Sequence, residues 1–176
     1  MRRMAMLIFL CVLFASNIVF SDSKEPDGFR GIKWGTNIND LPDMIYTETD
    51  PSYGGIKTYI KKADELKVGG AIIKSIEYGF WRDRFFSVQI NVIGYTYFGA
   101  LKEAAFEKFG PGYKSNEYIE EYVWGKRRWE REISTGMLSY NEITKEGYLF
   151  LASMEISKEM NEYQKIKAKE GAEKGF

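Results

Sequence analysis

The stretch from Ile72 to Gly110 leaves this chain the fewest choices of fold. Within it, Phe86-Ser87-Val88-Gln89-Ile90-Asn91-Val92 alternates apolar and polar without a slip, the period of a strand buried on one face. Ile76-Glu77-Tyr78-Gly79-Phe80 alternates in the same way, and Arg82-Asp83-Arg84 separates the two runs, so the pair reads as a β-hairpin. The period then turns helical from Tyr97 to Phe109 and stops at Gly110-Pro111-Gly112, with Thr96 as N-cap. Phe98, Leu101, Ala105, Phe106 and Phe109 fall on one arc, opposite Glu103 and Glu107. Lys102 sits inside that arc, its stem expected along the core and its ammonium in water. Hairpin and helix are expected to bury their apolar faces against each other.

The segments on either side extend the same scheme. Gly31-Ile32-Lys33-Trp34-Gly35 precedes Thr36, an N-cap for a short helical turn to Leu41, where Pro42 discourages continuation. Met44 to Glu48 and Ile56 to Lys61 read as strands around the loop-forming Asp50-Pro51-Ser52-Tyr53-Gly54-Gly55. Further on, Tyr118 to Trp124 and Arg128 to Ile133 flank Gly125-Lys126-Arg127 as a second hairpin. Met137 to Asn141 and Tyr148 to Ile156 flank Thr144 to Gly147 as a third. Leu149 and Leu151 face away from Tyr148 and Phe150, as in a central strand covered on both sides. Ser157 caps a last helix through Lys169. The expected class is α+β: an antiparallel sheet of about six to eight strands in meander hairpins, packed against one main amphipathic helix, with a short N-terminal helical turn and a C-terminal helix.

The first residues follow another logic. Arg2 and Arg3 precede an apolar run from Met4 to Ala15, and Val19-Phe20-Ser21 offers a processing site, so residues 1–21 read as a secretory signal. An uncleaved anchor is the rival reading, since Ile18 to Phe20 extend the run, although Ser16 and Asn17 interrupt it. Residues 22–28 read as a flexible lead-in, 29–169 as one α+β domain and 170–176 as a frayed tail. Cys11 is the only cysteine and Leu10 before it argues against a lipoprotein signal, so a processed chain has no thiol and relies on its core. The destination is the periplasm or the exterior.

Charge and residue types then narrow the chemistry. Lysine plus arginine equals aspartate plus glutamate at 25 each, so no bulk field draws nucleic acid or an anionic membrane. There is no histidine, which removes Ser/His and Cys/His nucleophile pairs; with Cys11 lost, ordinary zinc, haem and iron-sulfur sites go too. No cofactor is expected. Glu120, Glu121, Glu130 and Glu132 could supply a carboxylate pair for a hydrolase acting on envelope glycans, but among Lys126, Arg127, Arg128 and Arg131 they read more simply as cross-strand pairs.

Two aromatic and cationic segments stand out as contact surfaces. Trp81, Arg82, Asp83, Arg84 and Phe85 form the first hairpin tip, where an exposed ring would anchor a protein partner. Trp124, Lys126, Arg127, Arg128, Trp129 and Arg131 form the second, suited to an envelope protein, an anionic lipid head group or an acidic glycan; export argues against nucleic acid. The bland reading turns both tryptophans towards the sheet.

Gly31-Ile32-Lys33-Trp34-Gly35-Thr36 before a short helix, and Tyr78-Gly79-Phe80 through Phe86 to Ile90 before a helix ending Lys108-Phe109-Gly110, resemble small exported bacterial proteins of unknown function. More distantly they are similar to the SmpA/OmlA and β-lactamase-inhibitor-like group. That resemblance implies non-enzymatic protein binding in the cell envelope and transfers no functional residue.

Overall fold

A computed structural model of the chain describes residues 25–126, 128–129 and 131–175. The expected signal of residues 1–21 therefore lies outside the described residues, as do Arg127 and Glu130. The strands are β1 (Gly28–Phe29), β2 (Ile32–Lys33), β3 (Met44–Asp50), β4 (Ile56–Lys61), β5 (Lys67–Val68), β6 (Ala71–Ile72), β7 (Ser75–Trp81) and β8 (Arg84–Ile93). Helix α1 (Tyr95–Phe109) follows, then β9 (Tyr113–Lys114), β10 (Glu121–Trp124), β11 (Ser134–Asn141), β12 (Glu146–Ser153) and helix α2 (Met154–Gly175). Eight strands form one antiparallel sheet in the order β3-β4-β7-β8-β12-β11-β10-β9, so two meanders meet where β8 pairs with β12. β1 with β2 and β5 with β6 make two small separate ribbons.

The alternation along β7 and β8 explains which side of the sheet is filled. Ile76 lies opposite Ile90 and Tyr78 opposite Val88, and across the central junction Val88 meets Leu151 and Ile90 meets Leu149. These side chains are at most 3% exposed and point at Phe98, Leu101, Ala105 and Phe109 of α1, all buried. α1 begins two residues before the expected start, with Gly94 (φ +87°) at its N-cap rather than Thr96. It ends at Gly110 (φ +77°), where a side chain would be strained.

The opposite face carries the polar members of the same strands. Ser75, Glu77, Gln89 and Asn91 hydrogen-bond one another there, which satisfies half-buried polar groups on an open sheet surface. At one end α2 covers this face, closing a second cluster of Trp81, Phe86, Ile156 and Met160.

The second half of the sheet departs from the expected hairpins. β10 pairs not with Arg128 to Ile133 but with β11, Glu121 opposite Ser139 and Trp124 opposite Gly136, so residues 125–133 form a long connection. The amides of Arg128 and Trp129 both donate to the Gly125 carbonyl, which closes a turn where β-propensity suggested a strand. Burying the Trp129 ring in the core outweighs that local preference. β12 ends at Ser153, and Met154 to Ile156, expected as strand, open α2 instead. The Ser153 hydroxyl accepts from the Ile156 amide and caps the helix, while Ser157, the expected cap, donates to the Ser153 carbonyl from inside it. α2 runs on to Gly175, past the expected end at Lys169. The one turn of 3-10 helix at Ile38–Asp40 is capped by Asn37, whose side chain accepts from the Asn39 amide, rather than by Thr36. Residues 25–28 of the expected lead-in are held in place: the Pro26 carbonyl accepts from the Trp34 indole and from the Ser134 hydroxyl, and Glu25 accepts from the Ser134 amide at 2.7 Å.

A candidate ligand-binding cleft

The first aromatic tip is closed by its own neighbours. Arg82 (φ +50°) and Asp83 (φ +61°) form the two-residue turn between β7 and β8, both left-handed as such a hairpin turn requires. Trp81 is 1% exposed and Phe85 0%, which corrects the expectation of an exposed anchoring ring. The indole of Trp81 donates to the Tyr53 carbonyl at 2.8 Å, and the Arg82 guanidinium lies over that indole at 4.2 Å and over Tyr163 at 5.2 Å. Arg84 makes two hydrogen bonds to Glu159 of α2, at 3.1 and 2.5 Å. That hydrogen bond raises the guanidinium pKa and lowers the Glu159 carboxyl. Asp83 accepts from Lys57 at 2.9 Å. Every charged group of the tip is thus engaged, and the segment staples α2 to the sheet.

The second segment divides in two. Trp124 and Trp129 are each 2% exposed and stack with 19° between their planes, Trp124 donating to the Gly110 carbonyl at 2.9 Å. Phe109 of α1 meets both rings edge-on. The tryptophans are therefore core, and only the cations face outward. Lys126 lies 4.0 Å from Glu132 and away from the cleft. Arg128 and Arg131 are exposed and reach the rim of a cleft of about 1160 Å³.

That cleft lies between the β1–β2 ribbon, the last turns of α1 and the 125–133 connection. Ile90, Leu149 and Leu151 close its floor, and Ala104, Ala105 and Phe109 form the helical wall. Around the mouth, among the described residues, stand Arg30, Lys33, Lys108, Arg128 and Arg131 against Glu25 and Asp27. Arg30 is committed to Asp64 and to the Lys67 carbonyl, and Lys33 lies 4.0 Å from Asp27. Lys108 and Arg131 make no ion pair among the described residues. One Glu25 oxygen is buried and has no hydrogen-bond partner among the described residues. Sequence reasoning found Arg128 and Arg131 but missed Lys108, Lys33 and Arg30. Local spacing carries no signal for them, because the ribbon and helix that bear them meet only in three dimensions.

Of the glutamates of the hydrolase alternative, Glu130 lies outside the described residues, and Glu120, Glu121 and Glu132 have separate partners. Glu120 accepts from Lys102 at 2.9 Å, Tyr122 at 3.0 Å and Lys114 at 3.4 Å, whereas Glu121 lies on β10 opposite Ser139 and accepts from Ser115. None of Glu120, Glu121 and Glu132 lines the cleft. The hydrogen bond from Lys102 holds the Glu120 carboxyl below the usual range, against a smaller opposing effect of burial. Lys102 itself is raised: burial is the largest influence and works against its charge, but the hydrogen bond to Glu120, the attraction of that carboxylate and the nearby Tyr122 together outweigh it. The ammonium expected in water is thus ion-paired, with both side chains about three-quarters buried.

A pH-dependent stability contribution follows from this pair. Glu120 stabilises the fold above its unfolded pKa of about 4.3, and that contribution fades as pH falls through the lower folded value. Lys102 contributes below its unfolded pKa of about 10.4, and its share fades as pH rises through the higher folded value. Glu120→Gln is expected to cost roughly 1 kcal/mol near neutral pH, after allowance for solvent screening. Urea titrations of both proteins across pH should show the difference greatest between those limits and shrinking towards each.

Among the described residues no group of three or more metal-ligating side chains comes together, and no helix is long and apolar enough to cross a membrane. No protein-family model, no curated protein and no solved structure matches the chain.

Proposed function

We propose that this chain is an exported, periplasmic, non-catalytic binding protein of the cell envelope, with its ligand seated in the cleft between the β1–β2 ribbon and α1. One observation carries the reading: Lys108, Arg128 and Arg131, from two separate segments, surround the mouth of a hollow whose accessible walls include the apolar Phe29, Val68 and Ala104. Such a site attracts an anionic partner by its field and retains it by removing apolar surface from water. The engaged glutamates and the lack of histidine leave the site a binding rather than a reacting surface. Export rests on the basic and apolar pattern of residues 1–21, and the resemblance to envelope-associated binding proteins points the same way.

Affinity capture tests this directly. The exported chain and its Lys108→Glu/Arg131→Glu variant are immobilised and exposed to an envelope extract at low and at physiological salt. Both substitutions are on the surface, so the fold is expected to survive, checked by circular dichroism. The expected result is a bound component retained by the wild type, weakened by salt and lost by the variant. Identical capture by both proteins would dispose of the cleft as the site.

A further inference from the structure

The geometry points to an anionic amphiphile, a single aliphatic chain bearing a carboxylate or phosphate head, as the ligand of the cleft; this rests on the cleft being the binding site. Three features separate that class from other anions. The first is the absence of an open stacking platform among the described residues. A sugar ring or a nucleobase is held on an exposed aromatic face, but Trp124 and Trp129 are buried against each other. Phe29, half-buried at the wall, already carries the Arg30 guanidinium 5.3 Å from its ring centre. An acidic glycan would meet charge there without a surface to lie on.

The second feature is the character of the interior. The half-buried Phe29, Val68 and Ala104 present apolar surface to the hollow, above a packed core of Ile90, Ala105, Leu149 and Leu151. A flexible hydrocarbon chain fills such an irregular apolar space at little cost. The volume of about 1160 Å³ is also far more than an inorganic anion occupies.

The third feature is where the charge sits. Lys108 and Arg131 are exposed at the mouth, without an ion pair among the described residues, while Arg30 and Lys33 are engaged by Asp64 and Asp27. A head group held at the mouth keeps part of its hydration while the tail leaves water. That arrangement avoids the penalty of burying an anion.

The test uses tryptophan quenching by 9,10-dibromostearate at submicellar concentration with the full exported chain. Trp129 packs on Phe109, a wall of the cleft, so bromine atoms on a seated tail come close to an emitting ring. Saturable quenching is expected, displaced by palmitate, lysophosphatidate or both, but not by acetate or inorganic phosphate at the same concentration. Palmitate alone would identify the source as a free fatty acid, and lysophosphatidate alone as a phospholipid. Ala104→Phe, which fills the hollow without changing charge, should weaken binding by about tenfold or more, the equivalent of roughly two lost methylene contacts. Lys108→Glu/Arg131→Glu should weaken palmitate by a similar factor of about ten and leave hexadecanol unaffected. Absent quenching, or quenching that both variants leave unchanged, overturns the assignment. If envelope capture still depends on Lys108 and Arg131 in that case, only the ligand class is wrong; if capture is indifferent as well, the cleft itself is not the site.

Discussion

Phe98→Ala is expected to cost about 3–5 kcal/mol, seen as a fall in the urea midpoint with an unchanged slope. Phe98 is completely buried, its ring 4.9 Å from that of Tyr140, and it joins α1 to the β11–β12 hairpin. The ring lies against the backbone of Gly147, where an added Cβ would come within 2.6 Å of Phe98 Cδ2 and 3.1 Å of Tyr140 Cδ2. Gly147 is therefore glycine for want of space, and Gly147→Ala alone should destabilise. In the Phe98→Ala background the same methyl enters the vacated volume, so the two costs should fall well short of adding. Strict additivity in that double-mutant cycle would show that the ring does not pack on Gly147.

Trp81→Ala should be comparably damaging, about 3–5 kcal/mol, but its signature is local. Trp81 anchors the smaller cluster with Phe86, Ile156 and Met160, through which α2 reaches the sheet. Its loss also removes the hydrogen bond to the Tyr53 carbonyl and the surface on which Arg82 lies. Limited proteolysis should cut α2 more readily in the alanine variant, and hydrogen exchange should speed up in its first turns. Trp81→Phe retains most of the packing and forfeits the indole donor, so a smaller loss, about 1–2 kcal/mol, is expected. Glu159→Gln, which removes only a partly exposed ion pair, should matter least. Equal sensitivity of α2 to all three substitutions would refute a docking dominated by the Trp81 ring.

These expectations also mark how much could be read in advance. The hairpin of β7 and β8 and the helix after it were legible because their signals are local: a period of two, a polar tip, then a period of 3.6 ended by Gly110-Pro111. Ile56–Lys61 emerged with the same bounds in sequence and structure for the same reason. The 125–133 connection was not legible. Trp129 and Ile133 have strand propensity, yet β10 finds its partner in β11, and the intervening chain folds inward to bury Trp129. The start of α2 was missed because Met154 and Ile156 continue the alternation of β12, and only the Ser153 cap separates strand from helix.

The candidate surfaces divide along the same line. Composition alone established that there is no histidine and that Cys11 is the only thiol, and the patterning established an α+β chain rich in antiparallel strands. Whether Trp81, Phe85, Trp124 and Trp129 face water or the core depends on which elements cover them, and that is a matter of packing between segments far apart in the chain. The pairing of β8 with β12 joins the two meanders, and it sets Ile90 beside Leu149 under α1. The β1–β2 ribbon then meets the end of α1 and the 125–133 connection, and Lys108 comes to share a cleft with Arg131. Local alternation assigns a residue to a face of its strand or helix. Only long-range contacts, formed where the burial they gain exceeds the entropy of closing the intervening loops, decide what that face meets.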